Sequence, residues 1–153
     1  MENRVKQKKF VSLVLYLHNT QNEVVPFFQK VLPVFQDNFT HFEIVCVNDA
    51  CRVGIIGVLK EYLEENHCSE MVNIIHMSFF HGLESAMNAG RDLAIGDFIY
   101  EFDTAYVDYP SELIMEVYDK LLEGNDIVSA GTRDHVRMTS GFFYFCYHKT
   151  SRG

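Results

Sequence analysis

The chain has 153 residues, 48% of them apolar, and a formal net charge of −8. That length suits one domain with a sizeable core, and the negative field argues against a nucleic-acid partner. The longest apolar stretches, such as 11–17, fall well short of the roughly 20 residues that span a bilayer. No signal peptide opens the chain and no CxxC pair occurs among Cys46, Cys51, Cys68 and Cys146, so the sequence reads as cytoplasmic, with reduced thiols.

Residues 1–9 hold Arg4, Lys6, Lys8 and Lys9 against Glu2 and read as a solvated basic leader, with contact to a membrane surface as the alternative. From residue 10 onward, β-branched apolar runs alternate with segments of helical periodicity. In chain order these are strand 10–17, helix 22–36, strand 42–47, helix 54–65, strand 72–77, helix 83–94, strand 98–102, helix 111–123 and strand 127–130. The strands are nearly continuous in apolar character, as in a sheet covered on both faces. The predicted fold class is α/β, a mainly parallel sheet in three α/β/α layers, and no linker divides residues 10–153.

Pro33 sits inside the first helical segment and predicts a break near Leu32. Ser111 reads as an N-cap and Gly124 as the residue that ends the last helix. Beyond about residue 131 the pattern degrades into polar residues and then the aromatic run Phe142, Phe143, Tyr144, Phe145, Tyr147. That run reads as core, as an interface or as a membrane-proximal helix; left exposed, it would promote a homodimer.

Ligands of open parallel sheets bind beyond the carboxyl ends of the strands. Those positions carry His18 and Asn19, then Asn48 and Asp49, then Asp103 with Asp108 farther on. Phe79, Phe80 and His81 follow the third strand, where aromatic rings either stack on a base or ribose or lid the core. There is no GxGxxG after the first strand and no GxxxxGK[ST] anywhere, which removes the dehydrogenase and P-loop NTPase readings. A nucleotide held without a glycine loop needs another counter-charge. A divalent cation on carboxylates is the simplest, with Asp49, Asp103 and Asp108 as candidates. The histidines show no HxxxH or HExxH spacing, which argues against zinc.

Several segments resemble family 2 glycosyltransferases of the GT-A fold, most closely the dolichol- and polyprenyl-phosphate sugar transferase branch. VSLVLYLHNTQNE is similar to the family's VSIVIPVYNEEEN, with Asn19 matched, Tyr16 in place of the proline and Thr20 in place of the glutamate. FEIVCVNDAC resembles YEIIVVDDGS, where Asn48 stands for the first aspartate and Asp49 keeps the second. HGLESAMNAGRDLAIGDFIYEFD resembles GxxxAxNxGxxxAxGDYIxxxD, with Gly82, Ala86, Asn88, Gly90, Ala94, Gly96, Asp97 and Asp103 in step. The family's DxD metal motif is only half present: Asp103 matches its first aspartate and Ala105 occupies the second. IVSAGTRDHVRMTSGFFYF resembles a branch segment that pairs two arginines with a following aromatic helix, matching Arg133 and Arg137.

The resemblance implies a nucleotide-diphosphate sugar donor, UDP- or GDP-linked, and an acceptor such as a polyprenyl phosphate. It gives Asn19, Asn48, Asp49, Asp103, Arg133 and Arg137 to the donor site, with Asp49 on base or ribose and the arginines on phosphates. It gives Asp103 and Asp108 to a Mg or Mn ion. It leaves the catalytic base unassigned, since the family's base lies farther along than this sequence runs. The chain therefore reads as an N-terminal nucleotide-sugar-binding portion, placed by the branch at the cytoplasmic face of a membrane. Asn48, Ala105 and Val107 motivate the alternative, a degenerate non-catalytic binding or scaffold domain.

Overall fold

A computed structural model describes residues 4–19, 22–52 and 54–130, and the backbone of 144–148. Its elements are β1 (Val11–Leu17), α1 (Val24–Asn38), β2 (Phe42–Asn48), α2 (Ile55–Glu65), a 3₁₀ turn (Ser69–Met71), β3 (Val72–His76), α3 (Leu83–Leu93), β4 (Phe98–Phe102), α4 (Glu112–Leu122), β5 (Ile127–Ala130) and β6 (Tyr144–His148). They form one sheet in the order β3-β2-β1-β4-β6-β5. The four strands β3, β2, β1 and β4 run parallel; β6 lies antiparallel between β4 and β5. The α/β expectation therefore holds.

The period of two along each strand separates two cores. Leu13, Leu15, Leu17, Ile44, Cys46, Tyr100 and Phe102 face α1, α2 and α4. Val14, Val45, Val47 and Ile99 face Ala86, Met87 and Ala94 at α3. The first core is aromatic: Phe27 meets Phe102 edge-on at 5.1 Å between centroids, Phe35 meets Tyr100 at 5.3 Å, and Phe39 meets Tyr118 at 5.1 Å. Tyr100 is fully buried, and its hydroxyl donates to the Ile114 carbonyl at 2.7 Å. Burial pushes the thiol of Cys46 up to about 12, so it packs as a small apolar group.

The second core depends on glycine. A Cβ on Gly90 would run into Val14 Cγ1 and lie 2.9 Å from Val47 Cγ2, so the bare backbone lets α3 seat against β1 and β2. A Cβ on Gly96 would lie 2.6 Å from the Ser12 backbone nitrogen. There the turn into β4 closes a polar cluster at the amino ends of the strands. Glu43 accepts from the Ser12 hydroxyl at 2.6 Å and from the Ile95 N–H at 2.7 Å, and Ser12 Oγ accepts from the Gly96 N–H at 2.8 Å. Asp97 accepts from the Phe10 N–H at 3.1 Å.

Three expectations change. α1 runs unbroken through Pro33, because Val31, Leu32 and Phe35 are buried around it while Pro33 itself is exposed. The proline removes one backbone bond on the solvent side, where water can satisfy the Gln29 carbonyl. Ser111 precedes α4 but makes no side-chain cap; its backbone is already helical, and the Ser111 carbonyl instead accepts from the Ile114 N–H at 3.2 Å. Of the readings given for the aromatic run, the membrane-proximal helix changes: Tyr144–His148 form β6, a strand, in keeping with the strand preference of aromatic residues. Gly124 does end α4 with φ 103°.

The leader is docked from residue 4 onward. Gln7 bridges to Phe39, with its N–H donating to the Asn38 carbonyl at 2.7 Å, and Arg4 pairs with Asp119. Lys6, Phe10, Phe39, His41 and Phe42 line a hollow of about 430 Å³ at the amino ends of β1 and β2.

Candidate functional site

In this sheet β1 has β2 on one side and β4 on the other, so strand order reverses at β1 and the ligand crevice of such folds lies beyond its carboxyl end. The register aligns Leu17 with Asn48, Asn48 with His76 and Leu15 with Phe102. His18, Asn48, Asp49, His76 and Asp103 therefore share one edge. The polar cluster of Glu43 and the hollow beside Lys6 lie at the opposite end of the strands.

Asp49 is wholly buried, yet its carboxylate is saturated with donors. Oδ1 accepts from the His81 N–H at 2.8 Å; Oδ2 accepts from the Gly82 N–H at 3.0 Å and from the Tyr16 hydroxyl at 2.8 Å. Burial alone would raise the carboxyl pKa. The bonds from His81, Tyr16 and Gly82, with the His18 ring nearby, outweigh it and hold the group below its ordinary value. The converse applies to Tyr16: burial first, then the bond to Asp49 and its charge, push the phenol well above its usual range, so it stays a donor.

The same residue also holds the loop after β1. His18 Nδ1 lies 2.6 Å from the Asp49 carbonyl, and its Nε2 lies 3.1 Å from Asn19 Nδ2. Together these contacts select the Nδ1–H tautomer. Asn19 is exposed and takes φ 54°, a left-handed backbone that asparagine tolerates. Asn48 is half-buried. Its Oδ1 accepts from the Cys51 N–H at 2.9 Å, which fixes the amide's orientation, and its Nδ2 faces His76 Nδ1 at 3.0 Å. Cys51 donates to the Leu17 carbonyl at 3.1 Å, and burial first of all raises its pKa.

Above this layer lies an aromatic rim. His18 and Phe80 have ring centroids 4.7 Å apart, and Phe79 stacks on His81 at 4.1 Å. Phe79 and Phe80 are 64% and 57% exposed, so these rings are not the core lids that aromatic residues at strand ends often are.

Asp103 is half-buried just past β4 and Asp108 is exposed. Ala105, between them, is packed into the apolar core at 1% exposure. Among the described residues no group of three His, Cys, Asp or Glu side chains comes together. The described residues thus do not by themselves fit a divalent cation. Arg133 and Arg137 lie outside the described residues.

Sequence reasoning missed Tyr16, His76 and the N–H groups of His81 and Gly82 as parts of this edge. Tyr16 carried a signal: a hydroxyl in an otherwise aliphatic stretch of strand, on the face that Ser12 and Val14 share. The backbone donors carried none, because a main-chain N–H is the same at every position.

The model of the family described as glycosyl transferase family 2 matches residues 12–151. A glycosyltransferase of Synechocystis sp. is 32% identical over 123 residues, which is 80% of this chain and 37% of that protein. Two solved structures share the fold at 17% identity. One is the mannosyltransferase PcManGT of Pyrobaculum calidifontis in complex with GDP-Man and Mn²⁺, with TM-score 0.66 over 83% of this chain and 36% of its own. The other is mannosyl-3-phosphoglycerate synthase of Rubrobacter xylanophilus, with TM-score 0.69 over 92% of this chain and 54% of its own. The chain thus spans well under half the length of the curated relative it matches.

Proposed function

The chain belongs to glycosyl transferase family 2, and from that premise we propose that it forms the donor side of a transferase that moves a sugar from a nucleotide diphosphate to an acceptor. The observation that carries this is the convergence of Asn19, Asn48, Asp49 and Asp103 beyond the carboxyl ends of parallel strands, where the strand order reverses. The GDP-Man in the Pyrobaculum mannosyltransferase supports a nucleotide-diphosphate sugar as the donor class. On the family resemblance, Arg133 and Arg137 are the proposed phosphate ligands, a role that suits a guanidinium, which offers two parallel donors to phosphate oxygens. A polyprenyl phosphate is the proposed acceptor, on the strength of the branch resemblance alone, and it draws the protein to the cytoplasmic face of a membrane.

In this reading the protein's part is to bind and orient the diphosphate and to stabilise the charge that builds on it as the sugar leaves. The Mn²⁺ of the Pyrobaculum structure makes metal dependence worth measuring, although Ala105 removes a ligand position here. Calorimetric titration with UDP and GDP, each with and without Mn²⁺, tests the reading. Binding of either nucleotide is expected, with Asp103→Ala losing it. No binding by the native chain, or unchanged affinity in Asp103→Ala, overturns the assignment. Ala105, packed in the core where the family carries a carboxylate, favours a second reading as a non-catalytic binding domain. Sugar-nucleotide turnover by the full-length protein would exclude it.

A further inference from the structure

We propose that β3 is a docking edge for a second copy of this chain, whose own β3 adds to it in antiparallel register so that the two sheets join into one. The proposal goes beyond the donor-site reading and does not depend on it.

β3 forms one end of the sheet and pairs with β2 alone. Main-chain groups of a strand point alternately to its two sides. The Met77 N–H donates to the Asn48 carbonyl at 3.0 Å, so Asn73 and Ile75 turn their main-chain groups toward β2, while Ile74 and His76 turn theirs outward. Among the described residues nothing pairs with those outward groups. Val72 offers only its carbonyl, because its N–H already donates to the Ser69 carbonyl of the 3₁₀ turn. β6, by contrast, is paired on both sides, so its main chain offers no edge.

An uncovered edge invites another strand, and proteins that avoid such pairing place a lysine, a proline or a bulge there. β3 has none of these. No Asp, Glu, Lys, Arg or Pro occurs from Met71 to Leu83, and the register with β2 runs without a bulge. Its apolar side chains also reach the rim on both faces: Val72 and Ile74 lie half-buried against the aromatic core, and Ile75 against the α3 core.

The charge pattern selects the occupant and its direction. The chain carries −8, so two copies approach best where acids do not meet. A two-fold axis beside Ile74 sets Ile74 opposite Ile74, Val72 opposite His76, and Glu70 opposite the uncharged Ser78 of the second copy. Ile74 then exchanges both of its main-chain bonds with its counterpart, and each His76 N–H meets the Val72 carbonyl across the axis. A parallel pairing in register would set Glu70 against Glu70, where like charges oppose it. The antiparallel pairing uses only the main chain of His76, whose ring stays with Asn48.

A single strand pair is a small interface, so the dimer is expected to be weak, dissociating in the range of about 1–100 μM. Sedimentation of the full chain across that range is expected to show the mass rise from 17.7 kDa toward twice that value. Asn73→Lys adds the edge lysine that β3 lacks, at an exposed position outside the candidate site, and is expected to weaken the dimer by about tenfold or more. Hydrogen exchange of the native chain is the second readout and needs no variant. The Ile74 and His76 amides are expected to exchange about tenfold slower in concentrated than in dilute protein, while Asn73 and Ile75, bonded to β2 throughout, do not change. A chain that stays monomeric up to about 1 mM overturns the proposal. So does a dimer that Asn73→Lys leaves intact, or one whose formation leaves the Ile74 and His76 amides unchanged, since either puts the interface elsewhere.

Discussion

The two faces of this sheet are built on opposite principles. The face under α1, α2 and α4 is filled by large rings and aliphatic side chains, and Phe27, Phe28, Phe35 and Phe39 are almost completely buried there. The face under α3 has a small core of valines, alanines, one isoleucine and one methionine, flanked by polar groups: buried Ser12 and Glu43 at one end, half-buried Tyr16 and buried Asp49 at the other, and buried Glu101 paired with Arg91 at 3.1 Å. The first face supplies stabilisation that depends on area and volume. The second depends on each carboxylate finding its donors, because an unpaired one costs more than it could return. Stability and positioning are thus assigned to different sides of the same strands.

The largest effect should come from the aromatic face. Phe35 touches Phe39, Phe42 and Tyr100, and Phe35→Ala leaves a cavity that three rings cannot close. A loss of about 3–5 kcal/mol is expected, read as the shift in a urea unfolding midpoint. A loss under about 1 kcal/mol would mean that this core is loosely packed, and the contrast between the faces would vanish.

The α3 face is tested by Glu43→Ala, which strands the Ser12 hydroxyl and the Ile95 N–H. The expected cost is about 2–3 kcal/mol, with Glu43→Gln recovering part of it because one acceptor oxygen remains. Equal costs for the two variants would show that volume, and not hydrogen bonding, governs this face as well.

The two carboxylates Glu43 and Asp49 differ in how far each was readable beforehand. The alternation of strand and helix was legible because short, nearly continuous apolar runs differ from longer segments of helical periodicity along their whole length, and most element ends fall within a residue or two of expectation. The glycines were legible only as a pattern. Their physical reasons, Gly90 beneath Val14 and Val47 and Gly96 against Ser12, required the helix and turn to be seated. Asp49 stood out at a strand end, but its partners are the phenol of Tyr16 and two main-chain amides at His81 and Gly82. Contacts that distant in sequence leave no local signature. The aromatic run stays open between core, interface and helix for a different reason: consecutive rings carry neither a period of two nor one of 3.6, so the strand β6 has no mark of its own.

Acid should act on Asp49 in a known direction. Its folded pKa lies below the unfolded value near 3.9, so the stability it contributes is fully present above that value and is lost as pH falls through the folded pKa. Asp49→Asn removes the titration. The stability gap between native and Asp49→Asn protein should therefore be constant from about pH 7 to 5 and shrink as the pH drops below about 4. A gap that widens on acidification would reverse the sign and place the carboxyl above its ordinary pKa.

The smallest effect belongs to Pro33, and it sharpens the comparison from the strong side. A proline in a helix interior costs roughly 3 kcal/mol relative to alanine when nothing compensates. Here α1 stays intact because Leu32 and Phe35 are pinned in the aromatic core on one side, while the broken bond faces solvent on the other. Proline also restricts the unfolded chain, which returns about 0.4–1 kcal/mol. Pro33→Ala should consequently raise stability by only about 1–2 kcal/mol, visible as a higher melting temperature with nucleotide affinity unchanged, since α1 lies on the face away from Asp49 and its loop. A gain near the full cost would mean that the helix is strained at Pro33. No gain at all would mean that the aromatic face, and not the backbone ladder, sets the helix, which is the stronger form of the contrast between the two faces.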